Sequence, residues 1–268
     1  MTKFGITGHT GSLGKILIKS KKNIKYSLFK GDIRKKDNVK KWFTKNKFDA
    51  VIHLAAIVPI KTVNRNKKKA LEVNYLGTKN IVDEIIKNEI KWFFFASTSH
   101  VYGSSKLKIN EKSKINPISY YGKTKYLAEK YIIKRFKNKK IIFCIGRIFS
   151  TTNNNQKNNY LVPDLKNKVQ KVKKKIIFKN LNHFRDFISM GDISNIIYAL
   201  YNKKYKGIIN IGSGQSISLK DIAKIICNNF KKSYEFIDNK KSTYLVADIT
   251  KLKKIYKLNK KKIARLLF

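Results

Sequence analysis

The sequence predicts an α/β protein built on a doubly wound parallel sheet, and three observations carry that prediction. Short apolar runs alternate with stretches of helical periodicity along the first two thirds of the chain. The runs are continuous rather than alternating, as in strands that are covered on both faces. The first of them ends in a glycine-rich turn that opens a helix, which is how such sheets begin.

The elements follow in order. "KFGIT" reads as a strand and "SLGKILIKS" as a helix, then "IKYSLF" as a strand and "DNVKKWFTKN" as a helix. "DAVIHLAA" is a buried strand, followed by the long amphipathic helix "KKALEVNYLGTKNIVDEIIKN". "KWFFFAS" is a strand, "YYGKTKYLAEKYIIKRF" a helix and "KIIFCIGRIF" a strand. The order weakens after Phe149, where "STTNNNQKNN" is polar and loop-like. "DISNIIYALYNKK" and "GIINIG" then give one more helix and strand, "SLKDIAKIICNNF" a helix and "ITKLKKIYKL" a last one. The chain is therefore divided into a dinucleotide-binding domain over residues 1–149 and a smaller, mostly helical substrate lobe over 150–268. The helix and strand near 191–211 are expected to return to the first domain.

Composition bounds the function. Lys and Arg number 61 of 268 residues against 16 Asp and Glu, a formal charge of +45. A nucleic-acid protein of this charge clusters it on one face or tail. Here lysines run from Lys3 to Lys262 on every polar stretch, so they read as solvated surface and no specific nucleic-acid partner is expected. No apolar run is long enough to span a bilayer, so no membrane partner is expected either. The strand-like start at Lys3 predicts no secretory leader. Cys144 and Cys227 lie far apart in apolar runs and read as core residues of a cytoplasmic protein. The four histidines show no metal-ligand spacing, and no metal is expected.

"ITGHTGSLGKILI" holds Gly8, Gly11 and Gly14 between a strand and a helix. The first glycine permits a tight turn, the second lets backbone approach a pyrophosphate, and the third lets helix and strand pack closely. The helix start then offers free N–H groups to the anion. The acid usually found at the end of the second strand is missing: "SLFKG" has Lys30 instead, with Asp32 and Ile33 following. A base there admits the 2′-phosphate of NADP, but in so basic a chain it reads equally well as one more solvated lysine. NAD and NADP both stay open.

A tyrosine four residues before a lysine occurs at Tyr26/Lys30, Tyr75/Lys79, Tyr102/Lys106, Tyr121/Lys125, Tyr126/Lys130 and Tyr256/Lys260. With nearly one residue in four basic, the spacing decides nothing by itself. On a helix such a pair shares one face. A phenol with a pKa near 10 is a poor base at neutral pH unless a nearby ammonium favours its ionised form.

These pieces together resemble the extended short-chain dehydrogenase/reductases, the epimerase/dehydratase group acting on nucleotide sugars. The resemblance rests on "TGHTGSLG", "GDI", "HLAA", "NYLGTKN", "STSHVYG", "PISYYGKTKYLAE", "GRIFS", "RDFISMGDI", "NIGSG" and "ADITKLKK", which occur in register over nearly the whole chain. It selects Tyr121 and Lys125 as the working pair, with Thr98 as the third catalytic residue. It implies a cofactor site of Gly8, Thr10, Gly11, Ser12, Leu13, Gly14, Asp32, Ile33, Leu54, Ala55, Ala56, Asn74, Tyr121 and Lys125. It implies a substrate site of Thr98, Tyr121 and Arg185, the arginine of "HFRDF" holding the diphosphate of a nucleotide sugar. A homodimer is also expected.

The family's reactions share a hydride exchange at sugar C4. Its 4,6-dehydratases follow the Thr with an Asp-Glu pair, and here Thr98 is followed by Ser99 and His100, so that reaction is disfavoured. The "STSHVYG" and "YYGKTK" stretches favour a 4-epimerase that keeps its NAD. The contraction before "GDI" resembles dTDP-4-dehydrorhamnose reductase and keeps an NADPH-dependent 4-keto-sugar reductase as the alternative, and Ser150 after "GRIF", where epimerases often carry Asn, weakens any specific substrate assignment. A non-catalytic Rossmann protein that senses cofactor or binds nucleic acid is the reading of another class, against which the complete Thr98/Tyr121/Lys125 set speaks.

Overall fold

The computed structural model describes residues 2–21, 23–58, 60–152, 156, 160–259 and 267. The chain begins β1 (Lys3–Thr7), α1 (Ser12–Ser20), β2 (Lys25–Leu28), α2 (Lys36–Thr44) and β3 (Ala50–His53). A short α3 (Ile60–Arg65) precedes α4 (Lys67–Leu71), which runs through a π-helical segment, Glu72–Gly77, into α5 (Thr78–Lys87). Then come β4 (Trp92–Thr98), α6 (Tyr120–Phe136) and β5 (Ile142–Ile148). These match the elements read from the sequence, with one shortening. β3 ends at His53, so "LAA" is loop.

The remaining elements are β6 (Ser150–Thr152), α7 (Leu161–Lys171), β7 (Lys175–Lys179), β8 (Phe184–Arg185), β9 (Phe187–Ser189), α8 (Met190–Asn202), β10 (Gly207–Ile211), β11 (Ile217–Ser218), α9 (Leu219–Asn229), β12 (Ser233–Ile237), β13 (Tyr244–Leu245) and α10 (Thr250–Lys253). Beside the expected helices stand α7, which was not read from the sequence, and seven short strands outside the main sheet among the described residues. Five of these strands are runs of two or three residues, which show too little periodicity to read in advance. The stretch expected as a polar loop begins with β6, while 153–155 and 157–159 lie outside the described residues. The last helix is one turn rather than the ten residues read for it.

Six parallel strands form one sheet in the order β10-β5-β4-β3-β1-β2. The chain leaves β1 outward to β2, then returns across it to β3 and moves the other way, so the winding reverses between β1 and β3. Such a reversal opens a crevice at the carboxyl ends of the strands. One apolar cluster, with Phe4, Ile52, Phe94, Ile197 and Leu252, fills one side of the sheet. A second, with Val51, Phe93, Phe95 and Ile132, fills the other. α8 and β10 join the first cluster, so chain beyond residue 190 completes the sheet. A separate cluster of Val162, Leu165, Val169, Phe178, Ile222 and Ile226 holds α7, α9, β7 and β12 together.

Candidate active site

A cleft of about 1610 Å³ opens over the carboxyl ends of β1, β2, β3, β4 and β5 and is closed on the far side by α7, Lys179, Arg185 and Leu219. Its sheet side is lined by Gly8, Thr10, Gly11, Ser12, Leu13 and Gly14, by Asp32 and Ile33, by Leu54, Ala55 and Ala56, and by Thr98 and Tyr121. The sequence-derived residues thus meet in one cavity, with two exceptions. Asn74 and Lys125 lie beneath its wall, 0% and 1% exposed.

The glycine turn is dictated by close packing. Gly8 has φ +76°, and a Cβ there would stand 2.5 Å from the backbone nitrogen of Ala55. A Cβ on Gly14 would stand 2.4 Å from the carbonyl oxygen of Gly8. Gly11 differs, because its Cβ would meet protein only at 3.3 Å. The room above it belongs to the cleft. α1 starts there with no side-chain cap and no acid in its first turn, leaving backbone N–H groups to face the cavity. This cradle fits a pyrophosphate.

Thr98 ends β4 and Tyr121 stands in the first turn of α6. Burial pushes the Tyr121 phenol up, the nearby Tyr160 adds to this, and a hydrogen bond with Thr98 opposes both. The protein groups by themselves therefore hold Tyr121 as a neutral phenol. Thr98 also accepts the N–H of His100 at 3.2 Å, which caps the turn over residues 99–101. Lys125 sits 3.9 Å from the centroid of the Phe95 ring. Burial lowers its pKa to about 7, and the charge of Glu129, one turn further along α6, raises it.

The other Tyr-x-x-x-Lys pairs go elsewhere. Lys79 lies over the Tyr75 ring on the outer helix, and Lys130 over Tyr126 on the surface of α6. Tyr102 is buried and donates to Asn210 Oδ1 at 2.8 Å. Tyr26 bonds the hydroxyl of Tyr198. Lys260 is outside the described residues.

Two buried networks brace the site, and neither was legible as a unit in the sequence. In the first, Ala55 N–H donates to Thr7 Oγ1, which lies 2.5 Å from His53 Nδ1. His53 Nε2 lies 2.9 Å from Thr78 Oγ1, and Thr78 donates its proton to the Asn74 carbonyl. His53 therefore carries its proton on Nε2 and accepts at Nδ1. Asn74 then accepts from Ile57 N–H and donates to Ile57 O and to Thr124 Oγ1, which donates to Tyr121 O. In the second, Glu129 pairs with Arg147 at 2.7 Å and is bonded by Ser97. Arg147 donates to the Tyr102 hydroxyl at 2.8 Å. Glu129 had a signal in its spacing, four residues after Lys125.

Arg185 lines the far wall. It donates to Phe184 O, Thr243 O and Thr243 Oγ1, which engages three of its five N–H groups. Burial lowers its pKa to about 10, so it stays a cation. The Asp186 beside it turns the other way and accepts from Ser213, Gly214 and Ala247, tying the loop after β10 to the segment after β13. His100, which sequence left without a role, lines the cleft beside Tyr121 with ring centroids 6.0 Å apart. Its pKa falls to about 4, by burial first and by the charge of Arg185 second. No group of three or more His, Cys, Asp or Glu suited to a metal occurs among the described residues. No helix there is long and apolar enough to cross a membrane.

A family model described as GDP-mannose 4,6 dehydratase matches residues 5–264. A dTDP-D-glucose 4,6-dehydratase of Dictyostelium discoideum is 28% identical over 85% of this chain, which spans only 55% of that protein. A putative UDP-glucose 4-epimerase of Methanocaldococcus jannaschii is 32% identical over 76% of this chain and 68% of its own. A GDP-6-deoxy-D-talose 4-dehydrogenase of Aggregatibacter actinomycetemcomitans is 27% identical over 93% and 90%. Among solved structures, RMD from Pseudomonas aeruginosa, complexed with NADPH, superposes with a TM-score of 0.88 at 19% identity, covering 100% of this chain and 96% of that one. The Thermus thermophilus UDP-glucose 4-epimerase, complexed with NAD, gives 0.81 at 19% identity, covering 94% and 92%. These two likenesses show a common fold.

Proposed function

Within the GDP-mannose 4,6-dehydratase family of extended short-chain dehydrogenase/reductases, to which this chain belongs, we propose that it exchanges a hydride at C4 of a nucleotide sugar. The observation that carries this is the joining of Thr98 and Tyr121 with Arg185 across one cleft whose floor begins in the glycine cradle. A bound nicotinamide dinucleotide supplies the hydride acceptor or donor. Tyr121 moves the proton of the C4 oxygen, Thr98 holds that oxygen, and Lys125 beneath them supplies positive charge that favours the phenolate. Arg185 holds the diphosphate with its free N–H groups, far from the reacting carbon, and so positions C4. The two buried free cysteines support a reducing compartment, and with it the cytoplasm.

The same residues serve two outcomes. Returning the hydride to the other face of the ketone makes a 4-epimerase, the reading that the stretches around Thr98 and Tyr121 support. Releasing an oxidised cofactor after one transfer makes a 4-keto-sugar reductase, which the basic end of the cleft at Lys30 supports. No carboxylate pair follows Thr98, which weighs against 4,6-dehydration. The test is product analysis by NMR of UDP-, GDP- and dTDP-hexoses and their 4-keto forms incubated with the protein and either dinucleotide. Tyr121→Phe should lower turnover by roughly 10²–10⁴-fold with dinucleotide binding intact, and Tyr120→Phe should matter little. Equal loss in both variants, or no C4 chemistry on any of these sugars, would overturn the reading.

A further inference from the structure

His100 is a titratable group of the cleft that hydride exchange leaves without a task. It lies in the turn over residues 99–101, two residues past Thr98, and its ring stands against that of Tyr121 with 6.0 Å between centroids. Nδ1 lies 3.2 Å from Ser119 Oγ, which also accepts the Gly122 N–H at 3.1 Å and so caps α6. A serine hydroxyl has one proton to donate and two lone pairs. It can donate to a neutral imidazole and, once turned, accept from an imidazolium, so His100 keeps this partner in either state. The turn packs on α6. The charged or titratable groups that bear on His100 among the described residues are Tyr121 of that helix and Arg185 of β8, and Tyr160, also on the cleft wall, bears on Tyr121 in turn.

Arg185 is a cation with neutral partners, the carbonyls of Phe184 and Thr243 and the Thr243 hydroxyl. The acids that line the cleft among the described residues are held by other cations, Asp32 by Arg34 at 2.7 Å and Asp164 by Lys61 at 2.7 Å. The charge of Arg185 is therefore felt at His100, where it adds to burial in holding the ring neutral. An anion on the guanidinium offsets that repulsion and adds an attraction of its own. We propose that a diphosphate seated on Arg185 brings a proton from solvent to His100, so that the bound substrate itself raises a second cation, in addition to Lys125, next to Tyr121. The inference rests on the nucleotide-sugar reading and deepens it. An imidazolium against the Tyr121 ring favours the phenolate that takes the C4 hydroxyl proton, and it does so only while a substrate is in place.

The test is calorimetry of the full chain with UDP-glucose, GDP-mannose and dTDP-glucose at physiological salt, from about pH 7.5 down to about 5.5. Paired buffers of different ionisation enthalpy count the protons taken up. The diphosphate diester of these probes does not titrate in that range, so the protons counted belong to the protein. For a probe that binds, uptake should grow as the pH falls. The Kd should drop by about three- to ten-fold across the range, as for a histidine moved from about 4 most of the way back to its ordinary value. His100→Asn and His100→Gln, which keep a polar partner for Ser119, should each flatten this dependence. In the ligand-free protein, NMR titration of the ring should show the His100 midpoint raised by Arg185→Gln. No proton uptake in the wild type, uptake that survives both His100 variants, or a midpoint unmoved by Arg185→Gln overturns the linkage and leaves hydride exchange standing. If none of the three probes binds, the nucleotide-sugar reading falls and this one with it.

Discussion

Two buried polar networks hold α6, and they are made of opposite chemistry. The one that reaches it at Thr124 and the Tyr121 carbonyl runs through Thr7, His53, Thr78 and Asn74 and contains no charge. Each donated hydrogen in it has one acceptor, and the chain of bonds from Thr7 to Asn74 has a single direction, with the His53 proton on Nε2. The one that reaches α6 at Glu129 is ionic, with Arg147 at 3% and Glu129 at 0% side-chain exposure. The neutral network links the glycine turn, the loop after β3 and the π-helical segment to the tyrosine without adding a field. The ionic network lies one turn from Lys125 and counters, through Glu129, the burial that lowers its pKa. Position is fixed by neutral bonds, and charge by a charged pair.

The largest effect should come from breaking the ionic network on one side. Glu129→Ala leaves Arg147 buried with its Nε and Nη2 unpaired, which costs about 3–5 kcal/mol. Urea unfolding reads this directly. Replacing both partners, as Glu129→Leu with Arg147→Met, should recover most of that loss, because both charges go together. A double variant as unstable as the single one would mean that the pair is worth more than its desolvation.

Next comes the neutral network. His53→Phe keeps the ring packing against Phe93 and Phe95 but leaves the Thr7 hydroxyl without an acceptor, at about 1–3 kcal/mol for a buried group left unsatisfied, while Thr78 keeps its bond to the Asn74 carbonyl. The loss should be smaller than for Glu129→Ala. It should raise the Kd of the dinucleotide as well, since Thr7 and Ala55 stand next to the glycine turn. Unchanged affinity with lowered stability would confine His53 to folding.

A pH titration separates the networks further. His53 has its pKa lowered to about 3 and His100 to about 4, both chiefly by burial. The unfolded chain takes up protons below about 6.5 while the folded one does not, so stability falls as the pH drops from about 6.5 toward 4. Each histidine contributes up to about 1.4 kcal/mol per pH unit in that window. His53→Phe should flatten the slope by one histidine's share, and Glu129→Leu with Arg147→Met should leave it unchanged. Lys125 gives the opposite end: its pKa is lowered to about 7 by burial, so between about 7 and 10 the unfolded lysine keeps a proton that the folded one has lost, stability rises with pH over that window, and Lys125→Met should remove that rise.

The smallest effect belongs to the exposed cluster of Arg34, Asp32 and Glu72. Arg34→Ala should change stability little, as exposed ion pairs do. It frees Asp32, so thermal melts should barely move while the preference between NADPH and NADH shifts toward NADH. A large loss of stability there would make the cluster structural.

Much of this was legible in the sequence, and for plain reasons. Strands buried on both faces need continuous apolar runs, and a helix of seventeen residues such as α6 shows its period several times over. The glycine turn was legible because Gly8 and Gly14 answer to contacts within the turn or with its neighbouring strand, which only glycine satisfies. The strands β6, β8, β9, β11 and β13 were not, because two or three residues carry no period and pair only through partners distant in the chain. His53 looked like an apolar-strand histidine, and nothing local shows that Thr7 and Thr78 stand on its two nitrogens.

The same division holds for the stretches by which the chain resembles its family. The sequence by itself determined the order of the strands and helices of the main sheet along the chain, its doubly wound class, and the residue types brought to the cleft. Only the tertiary structure decided what each residue does there. "KYLAE", "STSHVYG" and "GRIFS" meet as Glu129, Ser97, Tyr102 and Arg147 in one buried cluster, and the Asp of "RDF" serves the loop of "NIGSG". Lys30 and Asp32, two residues apart, part company because Asp32 is paired with Arg34 while Lys30 lines the cleft. The physical reason is that a residue's periodicity is written in its neighbours along the chain, whereas its burial and its hydrogen-bond partners are written in residues tens of positions away.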